Sequence, residues 1–275
     1  MPTLDHVVVN ARDRIDDAAD TYRRLGFTLT PRGYHTLGSM NHLAMFGTDY
    51  LELIAAKPGD NSRPEIMGAP IGLDGLVFGT EDASATYEAL RRNDVPIGEP
   101  QAFSRPVEIG GVTRDAAFRT TRLPRDATPA GRLYFCQHLT RDAVWRDEWR
   151  HHANGAVGVA RAVIAAENPR RMGALFSRMF GPGSVRPADD GCSLILGLSR
   201  FDVVTPMALW EMFGSATPDS RGRRDYMAAL TIRTRSLDAV ETALEAGGIK
   251  GWDRIGTSIL VPAPEAFGVT IEFSV

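Results

Sequence analysis

Cysteine and lysine are almost missing from this chain. Cys136 and Cys192 are the only thiols and lie far apart in sequence. Two isolated cysteines build no disulfide framework, and they fit a reducing, cytoplasmic setting. Lys57 and Lys250 are the only lysines, so nearly all positive charge is arginine. That bias fits a GC-rich bacterial genome as well as it fits anion binding, and the genome is the simpler explanation. A net charge of -3 and a pI near 6.1 leave no basic stripe for nucleic acid. No apolar run approaches the roughly 18 residues of a membrane helix, and no signal peptide is expected at the N-terminus. Also missing are a Gly-x-Gly-x-x-Gly loop, a P-loop, a paired-cysteine zinc motif and a Gly-x-Ser-x-Gly elbow. Nucleotide binding, phosphoryl transfer and serine hydrolysis therefore have no support.

Histidine is unevenly spread. His6, His35, His42, His138, His151 and His152 are all the chain has, and nothing after residue 152 is histidine. Histidine is the commonest metal ligand and proton carrier near neutral pH, so such chemistry is expected in the N-terminal half.

What is present is a soluble composition, 43% hydrophobic and 24% charged over 275 residues, and a repeat. Leu4 to Val9 reads as a strand. Ile15, Ala19, Tyr22 and Leu25 then fall at helical spacing, and Gly26 ends that helix. Strands are predicted at Phe27 to Thr30, Asn41 to Phe46 and Tyr50 to Ile54. The same order of strand, helix and three strands restarts near residues 73, 159 and 228. In the second unit a helix face of Ala83, Tyr87 and Leu90 precedes strands near Gln101 to Val107, Val112 to Thr120 and Arg132 to Gln137. Offsets of about 69, 86 and 69 group the four units into two pairs. The reading is an α+β protein of four βαβββ units in two domains with curved mixed sheets. Residues 1–140 form the N-terminal domain, 141–157 a linker and 158–275 the C-terminal domain. Trp145, Trp149 and His152 of the linker are expected to pin the two together.

The paired βαβββ unit is the building block of the vicinal oxygen chelate superfamily, and the resemblance reaches individual residues. "LDHVVV" (4–9) resembles that fold's metal-bearing first strand, and "GTDYLELI" (47–54) its metal-bearing fourth strand. "LGF" (25–27), "GYHTLGSMNHL" (33–43) and "YFCQHLTRDAVWRDEWRHHANGA" (134–156) are similar to the glyoxalase-like domain group. Members of the superfamily include glyoxalases, extradiol dioxygenases, epimerases and metal-free, drug-sequestering proteins of the bleomycin-resistance type.

The resemblance implies a divalent metal (Fe, Mn, Ni or Zn) held by His6 and Glu52. A carboxylate inside an apolar strand is costly unless paired, protonated or metal-bound. An arginine partner for Glu52 and a core role for His6 remain open at this point. In the second unit the first-strand ligand position holds Gly75, a departure from the pattern. Cys136, Gln137 and His138 occupy the fourth strand, and His138 is the preferred third ligand. Two histidines and a carboxylate form a set suited to Fe(II) and equally to Zn, Mn or Ni. His35 and Asn41 lie in a glycine-rich loop, where His35 could move a proton and Asn41 orient a carbonyl. Tyr50 and Gln137 join Asn41 as expected substrate contacts, and His42 is expected at the surface. In the C-terminal half Glu272 is matched to Glu52 and Arg161 to His6, an arginine–carboxylate pair in place of a metal. The expected activity is that of a lyase or isomerase with Glu52 as base, or of an extradiol-type dioxygenase. The alternative is a metal-free binding protein. The expected partner is a small molecule, with no membrane or nucleic acid, and a homodimer is compatible with the paired units.

Overall fold

The computed structural model describes residues 3–59 and 62–275. The first unit runs β1 (Leu4–Arg12), α1 (Ile15–Arg24), β2 (Gly33–Tyr34), β3 (Ser39–Met45) and β4 (Tyr50–Ala56). A short α2 (Pro64–Met67) leads to β5 (Gly72–Gly79), α3 (Ala83–Arg92), β6 (Gln101–Ile109), β7 (Val112–Arg122) and β8 (Arg132–His138). The third unit is β9 (Ala156–Ala165), α4 (Pro169–Phe180), β10 (Val185–Ala188), β11 (Gly191–Leu196) and β12 (Ser199–Val204). After α5 (Pro206–Phe213) come β13 (Tyr226–Thr234), α6 (Leu237–Ala246), β14 (Asp253–Ile255), β15 (Ser258–Val261) and β16 (Thr270–Ser274).

These strands form two eight-stranded mixed sheets of one topology, β2-β3-β4-β1-β5-β8-β7-β6 and β10-β11-β12-β9-β13-β16-β15-β14. In the first, β1 runs parallel to β4 and antiparallel to β5, and β5 runs parallel to β8. Its two edges nearly meet. The Thr36 amide donates to the Ser104 carbonyl at 2.9 Å, and the Thr36 hydroxyl accepts from the Ser104 amide at 3.2 Å. Those two bonds draw β2 toward β6 and make the first sheet almost a barrel.

Strand alternation sorts side chains between two faces. Val7, Val9, Leu51 and Leu53 turn outward, where they share one core with Ala162, Ile164, Phe201 and Phe273 of the second sheet. Phe27 stacks on Phe273 and Phe78 meets Phe201 edge-on, so the two convex faces are packed together by aromatic burial. Val8, Leu43, Tyr50, Ile54, Phe118 and Tyr134 turn into the barrel. No helix among the described residues is long and apolar enough to cross a membrane.

Several details differ from expectation. Phe27 to Thr30 is not a strand, because its polar groups are spent elsewhere. The Thr28 amide donates to His152 and its hydroxyl to the His151 carbonyl, while the Thr30 hydroxyl accepts from the Leu43 amide. His42 is buried rather than exposed, with its ring against the Thr30 carbonyl and Arg32. Trp145 does not bridge the sheets. It lies against Tyr50 and His138 at one end of the barrel, under the Arg141 guanidinium. His152 bonds Thr28 and the Met45 carbonyl, which ties the connecting segment to the first sheet.

Candidate active site

The site begins with an extra residue. Along β1, Leu4 pairs with Phe78 and His6 with the adjacent Val77, so Asp5 has no cross-strand partner. Such a bulge re-aims side chains. Leu4 therefore joins the outer core, not the face of His6, and Asp5 and His6 approach each other. The Asp5 carboxylate accepts from His6 Nδ1 at 2.6 Å and from His138 Nε2 at 3.0 Å. Burial raises its pKa, but His138 and His6 outweigh that and hold the carboxyl well below the usual range. With Nδ1 bound to Asp5, the His6 ring turns its Nε2 into the barrel's cavity. Tyr134 Oη lies 3.3 Å from that nitrogen, and the Tyr50 ring stacks on the imidazole at 4.4 Å.

Glu52 approaches from β4. Its Oε2 is 3.7 Å from His6 Nε2, and its Oε1 accepts from Asn41 Nδ2 at 2.6 Å. Cross-strand pairing explains the second contact, because Asn41 sits on β3 opposite Ile54, two residues along β4 from Glu52. Burial pushes the Glu52 carboxyl up, but His6, the Asn41 amide and Arg132 together bring it below its ordinary value. Glu52 is thus a carboxylate kept charged inside an apolar strand. His35 Nδ1 meets the Ser39 hydroxyl at 2.9 Å, which also accepts from Arg63, and its Nε2 lies 3.4 Å from Asn41. Burial drives the His35 pKa down to about 4, so the ring is neutral near pH 7. Burial likewise keeps the Tyr134 phenol and Cys136 thiol protonated. His6, His35, Asn41, Tyr50 and Glu52 all line one cavity inside the barrel, with about 40 Å³ of open space. That holds a few waters.

Two expected site residues stand apart. His138 lies beyond Asp5 and lines a separate cleft with Thr48 and Glu81. Gln137 faces away from the barrel, donating to the Glu81 carbonyl and accepting from the Ala83 amide at the start of α3. Residues not singled out from sequence also enter the cavity: Tyr134, Arg63, Arg105 and Arg122. Only the arginine bias hinted at them.

His6 Nε2 and Glu52 Oε2 converge, but His138 does not join them. At Gly75 a side chain would meet Val8 Cβ at 2.9 Å, so the first-strand position of the second unit has no room for a ligand. Tyr134 fills the fourth-strand position, since Val77, two residues past Gly75, pairs with it as Val8, two past His6, pairs with Glu52. Catalytic metal sites commonly use three protein ligands. Two donors ringed by guanidinium groups do not make that set. Asp5, Cys136 and His138 do bring three ligand atoms within 4.8 Å of one another. There, His6 and His138 both hold the Asp5 carboxylate.

Comparisons with known proteins agree with the topology. Residues 4–180 match a family described as a glyoxalase-like domain. No curated protein matches the chain. Among solved structures, a hypothetical protein from Staphylococcus aureus is similar over 100% of this chain and 99% of its own, with 13% identity and a TM-score of 0.68. A xylose isomerase-like TIM barrel/4-hydroxyphenylpyruvate dioxygenase fusion protein is 12% identical, covering 99% of this chain and 49% of that one, with a TM-score of 0.60. A variant of 4-hydroxymandelate synthase from Streptomyces coelicolor is 13% identical over 99% and 92% of the two chains, with a TM-score of 0.54. At such identity the structures speak for the fold alone. With the family matched over most of its length, and with two paired βαβββ sheets, the chain belongs to the glyoxalase-like domain family of the vicinal oxygen chelate fold.

Proposed function

We propose that the N-terminal barrel is the active site of an isomerase or lyase that moves a proton on a small oxygenated organic molecule, with Glu52 as the base. The observation that carries this reading is the state of Glu52. It is buried and ionised, its Oε1 is fixed by Asn41, and its Oε2 is left facing the cavity. The neighbouring groups support that role. With Asp5 on its Nδ1, His6 turns Nε2 into the cavity, and Tyr134 Oη can donate to an oxygen as charge develops on it. His35 is neutral and positions Asn41 rather than acting as an acid. Metal-assisted and dioxygenase chemistry remain in the wider fold, but no step here is routed through a metal, because the donors do not complete a ligand set.

The test is solvent exchange. Small α-hydroxy carbonyl and α-oxo compounds are incubated with the protein in D₂O, and loss of the proton beside the carbonyl is followed by NMR. Exchange is expected with the wild type and should fall by about 10²–10⁴ in Glu52→Gln. Binding of such compounds with no exchange, unchanged in Glu52→Gln, would leave the sequestering-protein alternative. Oxygen consumption dependent on added Fe(II) would favour the dioxygenase reading.

A further inference from the structure

We infer that the barrel carries an anion subsite, built by Arg105 and Arg122 opposite Glu52, and that the ligand is a small monocarboxylate. This deepens the reading of the same cavity as an active site and rests on it.

Arg105 comes from β6 and is 5% exposed, yet it makes no ion pair among the described residues, and its buried Nε has no hydrogen-bond partner. Arg122, at the end of β7, lies over the Tyr134 ring at 4.8 Å, and its Nε reaches only the Thr120 hydroxyl, at 3.3 Å. Both side chains line the cavity. Leaving a buried guanidinium unpaired is expensive, and natural sites of this kind are completed by a planar anion. Arg63 does not share the role, because Glu65 holds it at 2.6 Å. Arg132 does not line the cavity and is paired with Asp74 through Nε, so it does not enter the cavity's charge balance.

Charge selects the ligand. Among the lining groups, Arg63 is neutralised by Glu65, and Glu52 offsets one of the two remaining guanidiniums. One positive charge is left over, and a monoanion balances it where a dianion would overshoot. The fork of an arginine matches the two oxygens of a carboxylate. A carboxylate on Arg105 and Arg122 would leave the rest of the molecule toward Glu52 and Tyr134.

Gly33 is part of this construction. A Cβ there would lie 2.9 Å from Arg105 Cδ and 2.5 Å from Asn41 Oδ1. The glycine lets the base-orienting amide and the anion-binding guanidinium share one corner.

The experiment measures binding separately from catalysis. Acetate, pyruvate and benzoate, their amides and inorganic phosphate are titrated by calorimetry into wild type, Arg105→Gln, Arg122→Gln and Glu52→Gln proteins whose folding is checked by circular dichroism. At least one carboxylate should bind wild type, and its amide should bind about tenfold more weakly. Arg105→Gln or Arg122→Gln should erase that preference, and Glu52→Gln should keep or strengthen carboxylate binding. Two arginine variants are used so that misfolding of one leaves the other informative. Equal binding of acid and amide, binding of phosphate alone, binding of none of the probes, or an unchanged preference in folded arginine variants would overturn the subsite. Failure of the base assignment would show in exchange and leave these affinities as they are.

Discussion

The two sheets have the same strand order, yet one concave face is a polar cavity and the other is filled. In the second sheet α5 lies in the concavity, where Leu209, Phe213 and the following Ala216 pack on Val163, Ala165, Tyr226, Ala228 and Ala229. Register makes the comparison residue by residue. Tyr50 pairs with His6 and Glu52 with Val8, while Arg200 pairs with Arg161 and Asp202 with Val163. Arg161 therefore stands where His6 does, and Asp202 where Glu52 does. Asp202 is closed off by Arg161, Arg200 and the Ser193 hydroxyl. Both oxygens of Asp202 are hydrogen-bonded, one of them twice. Glu52 is held through Oε1 alone, and its Oε2 faces the His6 imidazole at 3.7 Å. The same fold position is a closed ion pair in one half and a cavity-facing carboxylate, the proposed base, in the other, and the partner residues make the difference.

Breaking the filled half should produce the largest stability effects. Asp202→Ala removes a carboxylate that is 2% exposed and leaves Arg161 without its partner. A loss of about 3 kcal/mol is expected, at the low end for a buried pair because both arginines retain some solvent. Urea unfolding checks it, and Arg161→Met with Asp202→Leu should recover most of the loss. Leu209→Ala, at a fully buried plug position, should cost about 2–3 kcal/mol in the same assay while leaving Glu52 chemistry intact. Gly75→Ala tests the crowding that excludes a ligand from β5. It should cost about 1–3 kcal/mol, and less in a Val8→Ala background, since the clash is with Val8.

The pH effects are the most gradual, each spread over a window of about two pH units. His35 has its pKa lowered to about 4, so between 4 and the ordinary 6.5 the unfolded chain binds a proton the folded one refuses. Stability should rise with pH through that window and be fully present above it. Asp49 acts with the opposite sign. Burial raises its pKa to about 6 although it accepts from the Val159 amide, where the sheets meet. The folded chain keeps a proton there between 3.8 and 6 that the unfolded chain releases, so stability falls as pH rises across that range. Melting temperatures against pH should show a weaker acid loss in His35→Gln and a gain near pH 8 in Asp49→Asn.

Much of the architecture was legible because strand alternation, helical spacing and glycine stops repeat four times. His6 and Glu52 stood out because polar residues interrupt apolar strands. What escaped depends on pairing. The bulge at Asp5 turns Leu4 outward and brings His138 to the far side of the carboxylate, and no local pattern announces it. Glu272 was matched to Glu52, but β16 pairs with β13, where Glu272 accepts from Thr231, so Asp202 on β12 is the true counterpart. The plug α5 has apolar residues on its exposed side too, such as Met207 and Trp210, and so lacks a clear helical stripe. Arg105 and Arg122 sit on half-exposed strands, and only the curl of the sheet brings both to one cavity.

The most direct test of the account is the deuterium-exchange rate of untagged protein before and after dialysis against a chelator, with metal content measured on the same samples. The account predicts substoichiometric metal and an unchanged rate that Glu52→Gln abolishes. Stoichiometric Fe, Mn, Ni or Zn that is lost in His6→Ala, with exchange lost on chelation, would contradict it.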